Sequence, residues 1–213
     1  MKKELERWCQ EVVDFCNPKA EQLNLDYYCF QSAIPTCEPD LLVIGINPGG
    51  CGSFRKARTK DELSQGYNIY DVREDHRCLD NLKMVCKLSR VFTTPLLQNV
   101  LATATTMNIY YFNTQNVQKM NSLLNQEIRS FSQHKLRDLI HIIKPKHILF
   151  LCTELKELAT VGVTGIKNLG YYTKIGVFEG VKTLALPNPG FYRAYSYTNG
   201  GAMGRIITEY LNL

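Results

Sequence analysis

Two hydrophobic periods alternate along this chain. Between residues 3 and 16, Leu5, Trp8, Cys9, Val12, Val13 and Cys16 fall at helical spacing, and Asn17-Pro18 is expected to stop the helix. The run Leu41-Leu42-Val43-Ile44 is uniformly aliphatic, the pattern of a strand buried on both faces. A polar, poorly periodic stretch follows from 51 to 77, in which the aromatic residues Phe54, Tyr67 and Tyr70 stand out. Leu79, Leu82, Val85, Cys86 and Leu88 restore helical spacing over 79–91. Residues 109–112 are bulky and β-prone, and predict a second strand that ends at Asn113-Thr114. A helix over about 122–143 places Leu124, Ile128, Phe131, Leu139, Ile140 and Ile143 inward, and Lys144-Pro145 closes it. A third buried strand is expected at 147–152, with Thr153 capping a short helix beyond it. Residues 162–173 read as loop, 174–178 and 181–186 as a hairpin, and Gly200-Gly201 as a loop before a last helix through Tyr210. Strands alternating with helical crossovers argue an α/β fold with a mostly parallel sheet between helical layers.

The length, 213 residues, suits one domain with a sizeable core, so residues 1–213 are read as a single domain. No apolar run reaches the roughly 20 residues of a membrane span, and the start of the chain leads straight into an amphipathic pattern, so a cytoplasmic protein is expected. A monomer is expected as well. The net charge of +5 permits a polyanionic partner without requiring one. The cluster from Arg55 to Lys60 is basic, although most such runs are simply solvated loop. The cysteines, at 9, 16, 29, 37, 51, 78, 86 and 152, are irregularly spaced with no C-x-x-C, which argues against a disulfide scaffold, a zinc site or an iron–sulfur site. The four histidines show no ligand or triad spacing.

Candidate chemistry sits where strands end. In open α/β sheets ligands bind beyond the carboxyl ends of the strands. Asn47 follows Leu41–Ile46, Asn113 follows residues 109–112, and Asn188 lies in Pro187-Asn188-Pro189-Gly190 after the last strand of the hairpin.

Gly45-Ile46-Asn47-Pro48-Gly49 and Pro187-Asn188-Pro189-Gly190 resemble the paired motifs of the uracil-DNA glycosylase superfamily. The first is most similar to the mismatch-specific uracil/thymine-DNA glycosylase branch, which carries G-I-N-P-G there. Phe112-Asn113-Thr114 resembles the strand-end asparagine with which classical members read the uracil edge. The resemblance covers roughly residues 40 to 212. It implies a three-layer α/β/α domain with a four-stranded, mostly parallel sheet. It also implies a DNA repair enzyme that flips a base from DNA and hydrolyses its N-glycosidic bond without metal or organic cofactor.

By that resemblance Asn47 and Asn188 are the catalytic residues. Asn47 would orient the attacking water through its amide oxygen, and Asn188 would support the leaving base or the DNA backbone. Asn47 cannot ionise, so it is no general base, and a slower enzyme than the aspartate-bearing branch is expected. Gly45, Ile46, Pro48, Gly49 and Gly50 would shape the base pocket, Phe54 would stack on the base, and Asn113 would offer its edge a donor and an acceptor. Gly190, Phe191, Tyr192 and Arg193 would contact DNA, the aromatic-and-arginine run filling the gap left by the flipped base. Structural readings stand beside each role: turn asparagines at 47 and 188, a strand-end cap at 113, a core ring at 54, and an aromatic loop packed on the sheet edge at 191–193.

Two departures from the pattern are plain. Gly190 stands where that branch has serine, and residues 51–77 have no counterpart in it. The rival functions are a non-catalytic nucleic-acid or nucleotide-binding domain on the same fold, and a nucleoside or nucleotide hydrolase.

Overall fold

The aliphatic run at 41–44, with Gly45, forms β1 (Leu41–Gly45), buried at every position. The computed structural model describes residues 2–35, 37–49, 53–54, 61–64, 68–73, 83–115, 117–123, 125–190 and 192–213, without the side chains of 61, 83, 117 and 192. The expectations for the basic cluster at 55–60, most of the 51–77 stretch, the start of the 79–91 helix, and Leu124 fall outside these residues.

The further strands are β2 (Thr105–Asn108), β3 (His147–Phe150), β4 (Thr164–Gly170), β5 (Thr173–Phe178) and β6 (Val181–Ala185). They form one six-stranded, mixed sheet in the order β2-β1-β3-β6-β5-β4. The fold is α/β, as expected, but the sheet has six strands rather than four. β3 and β6 run parallel, with Ile148, Leu149 and Phe150 facing Thr183, Leu184 and Ala185. β5 is antiparallel to β6 and to β4. The extra edge is β4, formed by residues read from the sequence as loop. Six of its seven positions are exposed, so no apolar alternation marks it.

The helices are α1 (Lys2–Leu23), α2 (Lys83–Leu88), α3 (Pro95–Thr103), α4 (Val117–Leu123), α5 (Gln126–Ile143), α6 (Leu155–Val161) and α7 (Tyr197–Leu211). Pro18 does not end α1. It removes one helical hydrogen bond, but the apolar face resumes at the fully buried Ala20 and the helix continues. The expected helix at 122–143 is two helices, because Asn125 breaks the run and caps α5, its side chain accepting from Ile128 N. Thr94 and Pro95, a cap and an N1 proline, start α3, which the apolar pattern did not mark. Among the described residues no helix is long and apolar enough to cross a membrane.

The expected strand at 109–112 lies four residues upstream, at β2. Residues 109–112 are buried and follow β2 without extending it as a strand. Ile109 N donates to Gly45 O, Tyr110 N to Ile46 O, and Tyr111 O accepts from Tyr28 N.

Two compact units divide the chain. The first comprises Met1–Pro39, Ile44–Tyr67 and Thr105–Pro145. In it α1 packs on α5. Trp8 sits 5.6 Å from Phe30 and 6.4 Å from Tyr111, and its Nε1 donates to Lys135 O. Phe15 stacks on Phe131 at 3.6 Å.

The second unit comprises Asp40–Val43, Asn68–Ala104 and Lys146–Leu213. Its core gathers Leu41, Val43, Leu88, Phe92, Leu149, Leu184, Tyr195, Met203 and Ile207. Gly200, read from the sequence as loop, lies inside α7. A Cβ there would come 2.5 Å from Arg90 O, so only glycine lets α7 approach the turn at 90–91.

The two hairpin loops of this unit differ in chemistry. Phe178 pairs with Val181 across Glu179-Gly180, and Gly170 pairs with Thr173 across Tyr171-Tyr172. All four loop residues have positive φ, the geometry of two-residue turns that favour Asn-Gly or Asp-Gly. Left-handed backbone costs a non-glycine residue roughly 1–2 kcal/mol. The second loop places two tyrosines there.

Candidate functional site

The first unit brings Asn47 together with the segment after β2. Asn47 Nδ2 donates to Pro48 O at 3.0 Å, to Thr114 Oγ1 at 2.9 Å and, at the 3.4 Å limit, to Thr114 O. Two of these acceptors are carbonyl oxygens, so the amide nitrogen must face them. That fixes the rotamer end for end. Among the described residues nothing donates to Oδ1, and Asn47 is only half-buried. The side chain therefore holds its acceptor outward on a tethered amide.

Thr114 N donates to Pro48 O at 3.3 Å, so the two loops are joined through backbone as well. Asn113 is buried, its backbone N tied to Asp26 O at 2.8 Å. Its Oδ1 is buried with no hydrogen-bond partner among the described residues. An acceptor left in that state costs about 1–3 kcal/mol, which a ligand N–H would relieve.

Gly45, Ile46 and Pro48 are buried beside Asn47, and Gly49 is exposed. Among the described residues, a Cβ on Gly49 would meet nothing within 4 Å. Phe54, in the same unit, is half-buried and stacks on no ring among the described residues. Gly50 lies outside the described residues.

Asn108 is not marked by the sequence pattern. It ends β2 and is wholly buried, and among the described residues neither end of its amide has a hydrogen-bond partner; Thr106 Oγ1, two residues earlier on the same face, is also unpartnered there. The next residue's amide bonds Gly45 O, which sets Asn108 alongside the start of the Asn47 loop. The signal was available: a strand-end asparagine, the same feature that singled out Asn113.

The second unit holds the other motif. Asn188 is half-buried and its Oδ1 accepts from Gly190 N at 2.7 Å, closing an Asx turn. Tyr195 OH donates to Pro187 O and Lys87 Nζ to Pro189 O, each at 2.5 Å. Lys87 and Tyr195 are both buried, so the loop is clamped from inside on either side of Asn188. Burial pushes the Tyr195 hydroxyl well above the usual tyrosine range, which keeps it a donor. Arg90 donates to Tyr195 O at 2.6 Å and lies 4.7 Å over the ring of Tyr197, which is 80% exposed. Arg193 is exposed in the short 3-10 turn Tyr192–Tyr195. Phe191 and the Tyr192 side chain lie outside the described residues. Lys87, Arg90, Tyr195 and Tyr197 carry no motif and were not found from sequence.

Gly190 has a local reason to be glycine. A Cβ there would sit 2.9 Å from Asn188 Oδ1, the atom that closes the turn. Gly190→Ser is expected to fold normally but to displace the Asn188 amide. Amide hydrogen exchange at residue 190 should accelerate roughly five- to tenfold, the loss of about one hydrogen bond.

A cleft of about 240 Å³ lies between α1 and α5, lined among others by Glu4, Arg7, Glu11, Lys135 and Asp138 and by none of the asparagine-loop residues. Desolvation opposes the Lys135 charge, but hydrogen bonds to Asp138 and Glu11 outweigh it and hold the ammonium above the usual lysine range. Among the described residues no group of three or more His, Cys, Asp or Glu could hold a metal ion.

No protein-family model matches the chain, and no curated protein matches it in sequence.

Proposed function

We propose that this chain is a monofunctional DNA glycosylase that hydrolyses the N-glycosidic bond of uracil or a related damaged base. It would act as a cytoplasmic monomer in base-excision repair, on a three-layer glycosylase-like fold. Removing the antiparallel β4–β5 pair leaves four strands, the number that the motif resemblance implies. The observation that carries the reading is the Asn47 amide, its nitrogen tethered to Thr114 and Pro48 and its oxygen held outward as an acceptor.

In this reading Asn47 Oδ1 accepts a hydrogen bond from a water and aims its oxygen at the sugar C1′. The C1′–N bond breaks with its electron pair going to the base, the water oxygen bonds C1′, and the water's proton passes to solvent. Asn113, with its unpartnered Oδ1, accepts from a base N–H. Positioning, not proton abstraction, is the contribution of Asn47.

The test is cleavage of labelled oligonucleotides carrying uracil opposite guanine, opposite adenine and in a single strand, with alkali after incubation. Abasic product from at least one substrate is expected. None from any, at large enzyme excess, would reject the reading.

A second reading, a non-catalytic nucleic-acid-binding domain, is favoured by Asn188. Its amide oxygen is committed to Gly190 N rather than presented to a substrate. Salt-sensitive DNA binding without base release would select it.

A further inference from the structure

Among the described residues Tyr197 is the most exposed large hydrophobic side chain, at 80%. It opens α7, and starting that helix calls for no aromatic ring, because Ser196 caps it by accepting from Asn199 N. The ring is nevertheless held. α7 presses on the turn at 90–91, where a Cβ on Gly200 would come 2.5 Å from Arg90 O and one on Gly204 would come 2.5 Å from Val91 O. Tyr197 lies on the same stripe of the helix, one turn earlier. There the Arg90 guanidinium lies over the ring, 4.7 Å from its centroid. Arg90 is itself fixed, since its Nη1 donates to Tyr195 O at 2.6 Å. A cation thus orients the ring on one side, and the other side meets solvent.

The segment that carries Arg90 also holds the Asn188 loop. Lys87, one turn before Arg90, donates to Pro189 O. Tyr195, whose carbonyl accepts from Arg90, donates through its hydroxyl to Pro187 O. Ring and loop are therefore tied to one another inside the second unit. The two segments that build this corner carry charge of one sign. No Asp or Glu occurs from residue 81 to 104 or from 186 to 208, where Lys83, Lys87, Arg90, Arg193 and Arg205 all fall. Arg193 and Arg205 are exposed. Arg90 uses one of its five N–H groups on Tyr195 O, which leaves four for other acceptors.

We propose that Tyr197 and Arg90 form a DNA-contact site beside the Asn188 loop. The open face of the Tyr197 ring stacks on an unpaired base, and Arg90 and Arg193 meet the neighbouring phosphates. An aromatic ring stacks on any base, and a basic, acid-free surround favours a polyanion over a protein partner. The proposal rests on DNA as the substrate class of the reading above, but not on base release.

The probe is a fluorescein-labelled, uracil-free DNA duplex with a tetrahydrofuran abasic analogue opposite guanine. That guanine is unpaired, and no glycosidic bond is left to cleave at the analogue. Binding to the full chain is read by anisotropy. Tyr197→Ala is expected to bind about tenfold more weakly than the parent, and Tyr197→Phe within about twofold of it. Both should melt within about 2 °C of the parent, because the exposed ring contributes little packing. Arg90→Gln should flatten the slope of log affinity against log salt by about 0.9. A chain that releases no base but loses duplex binding on Tyr197→Ala would support the proposal while the glycosylase reading fails. Unchanged binding by Tyr197→Ala would overturn the proposal even in a chain that releases uracil. An equal loss in Tyr197→Phe would overturn stacking as its basis. A parent dimer that Tyr197→Ala dissociates in sedimentation, with equal duplex binding by both, would overturn it in favour of a contact between copies.

Discussion

Asn47→Ala is expected to slow the proposed base release by about 100-fold or more while shifting the melting temperature by no more than about 4 °C. In that reaction the rate effect is large because the side chain is a positioned acceptor. Its nitrogen is held by Thr114 and Pro48, so the oxygen has one direction in which to bind a water. The stability effect is small because the residue is half-buried and contributes hydrogen bonds rather than packing. Asn47→Asp tests the same geometry from the other side. A carboxylate gains basicity but has no donor, and it would face the carbonyl oxygens of Pro48 and Thr114 at the distances Nδ2 now occupies. It must rotate away, so this variant is expected to be slower than the parent, not faster. Single-turnover measurement of abasic product for all three proteins checks the order. A faster Asn47→Asp would show that the tethered amide does not set the geometry.

Alkaline unfolding is the second large effect. Burial raises the hydroxyl pKa of Tyr70, Tyr111, Tyr195 and Tyr210 above the ordinary 10.0, to about 12 for Tyr210. Each is therefore protonated in the fold at pH values where the unfolded chain has lost the proton. The unfolded state binds fewer protons there, so stability falls as pH rises. The contribution is fully present below about pH 10 and is lost as pH climbs through the folded values. Each tyrosine costs about 1.4 kcal/mol per pH unit across that window, and four cost about 5–6 kcal/mol per unit. That approaches the whole stability of an ordinary domain within one to two units. Cooperative unfolding is expected at roughly pH 11–12, with loss of far-UV circular dichroism and gain of tyrosinate absorbance in one transition. Tyr111→Phe is the informative variant, because the Tyr111 hydroxyl has no hydrogen-bond partner to lose. It should leave stability at neutral pH unchanged or higher and reduce the alkaline slope by about a quarter. Two separate transitions, or no change in slope for Tyr111→Phe, would contradict this account.

The sequence was most legible where one element buries itself by its own pattern. The run at 41–44, the strand at 147–150 and the β5–β6 hairpin carry enough aliphatic or β-branched residues to declare themselves. It was least legible where neighbours decide. Thr105-Thr106-Met107-Asn108 is too polar to read as a buried strand, and the bulky residues at 109–112 carry the stronger β signal. That signal marks Asn113 as the strand end and hides Asn108. β4 has no apolar side to detect, because backbone pairing with β5 is what makes it a strand. Gly200 reads as a loop residue until the backbone of Arg90 is placed against it. At the site, the Asn47 loop was visible as a strand end followed by glycines. Thr114, which orients the amide, is 67 residues away, and only the fold brings it to Asn47. Lys87 and Arg90 are likewise joined to the second loop only by folding.

β4 has one further consequence. Its pairing with β5 slips twice, between Thr164 and Lys167 and again between Asn168 and Gly170. An evenly extended outer strand would offer a regular row of amides and carbonyls to any other extended chain, the first step of fibril growth. The two slips interrupt that row, and Lys167 falls between them. An edge broken in this way is a poor template for a further strand.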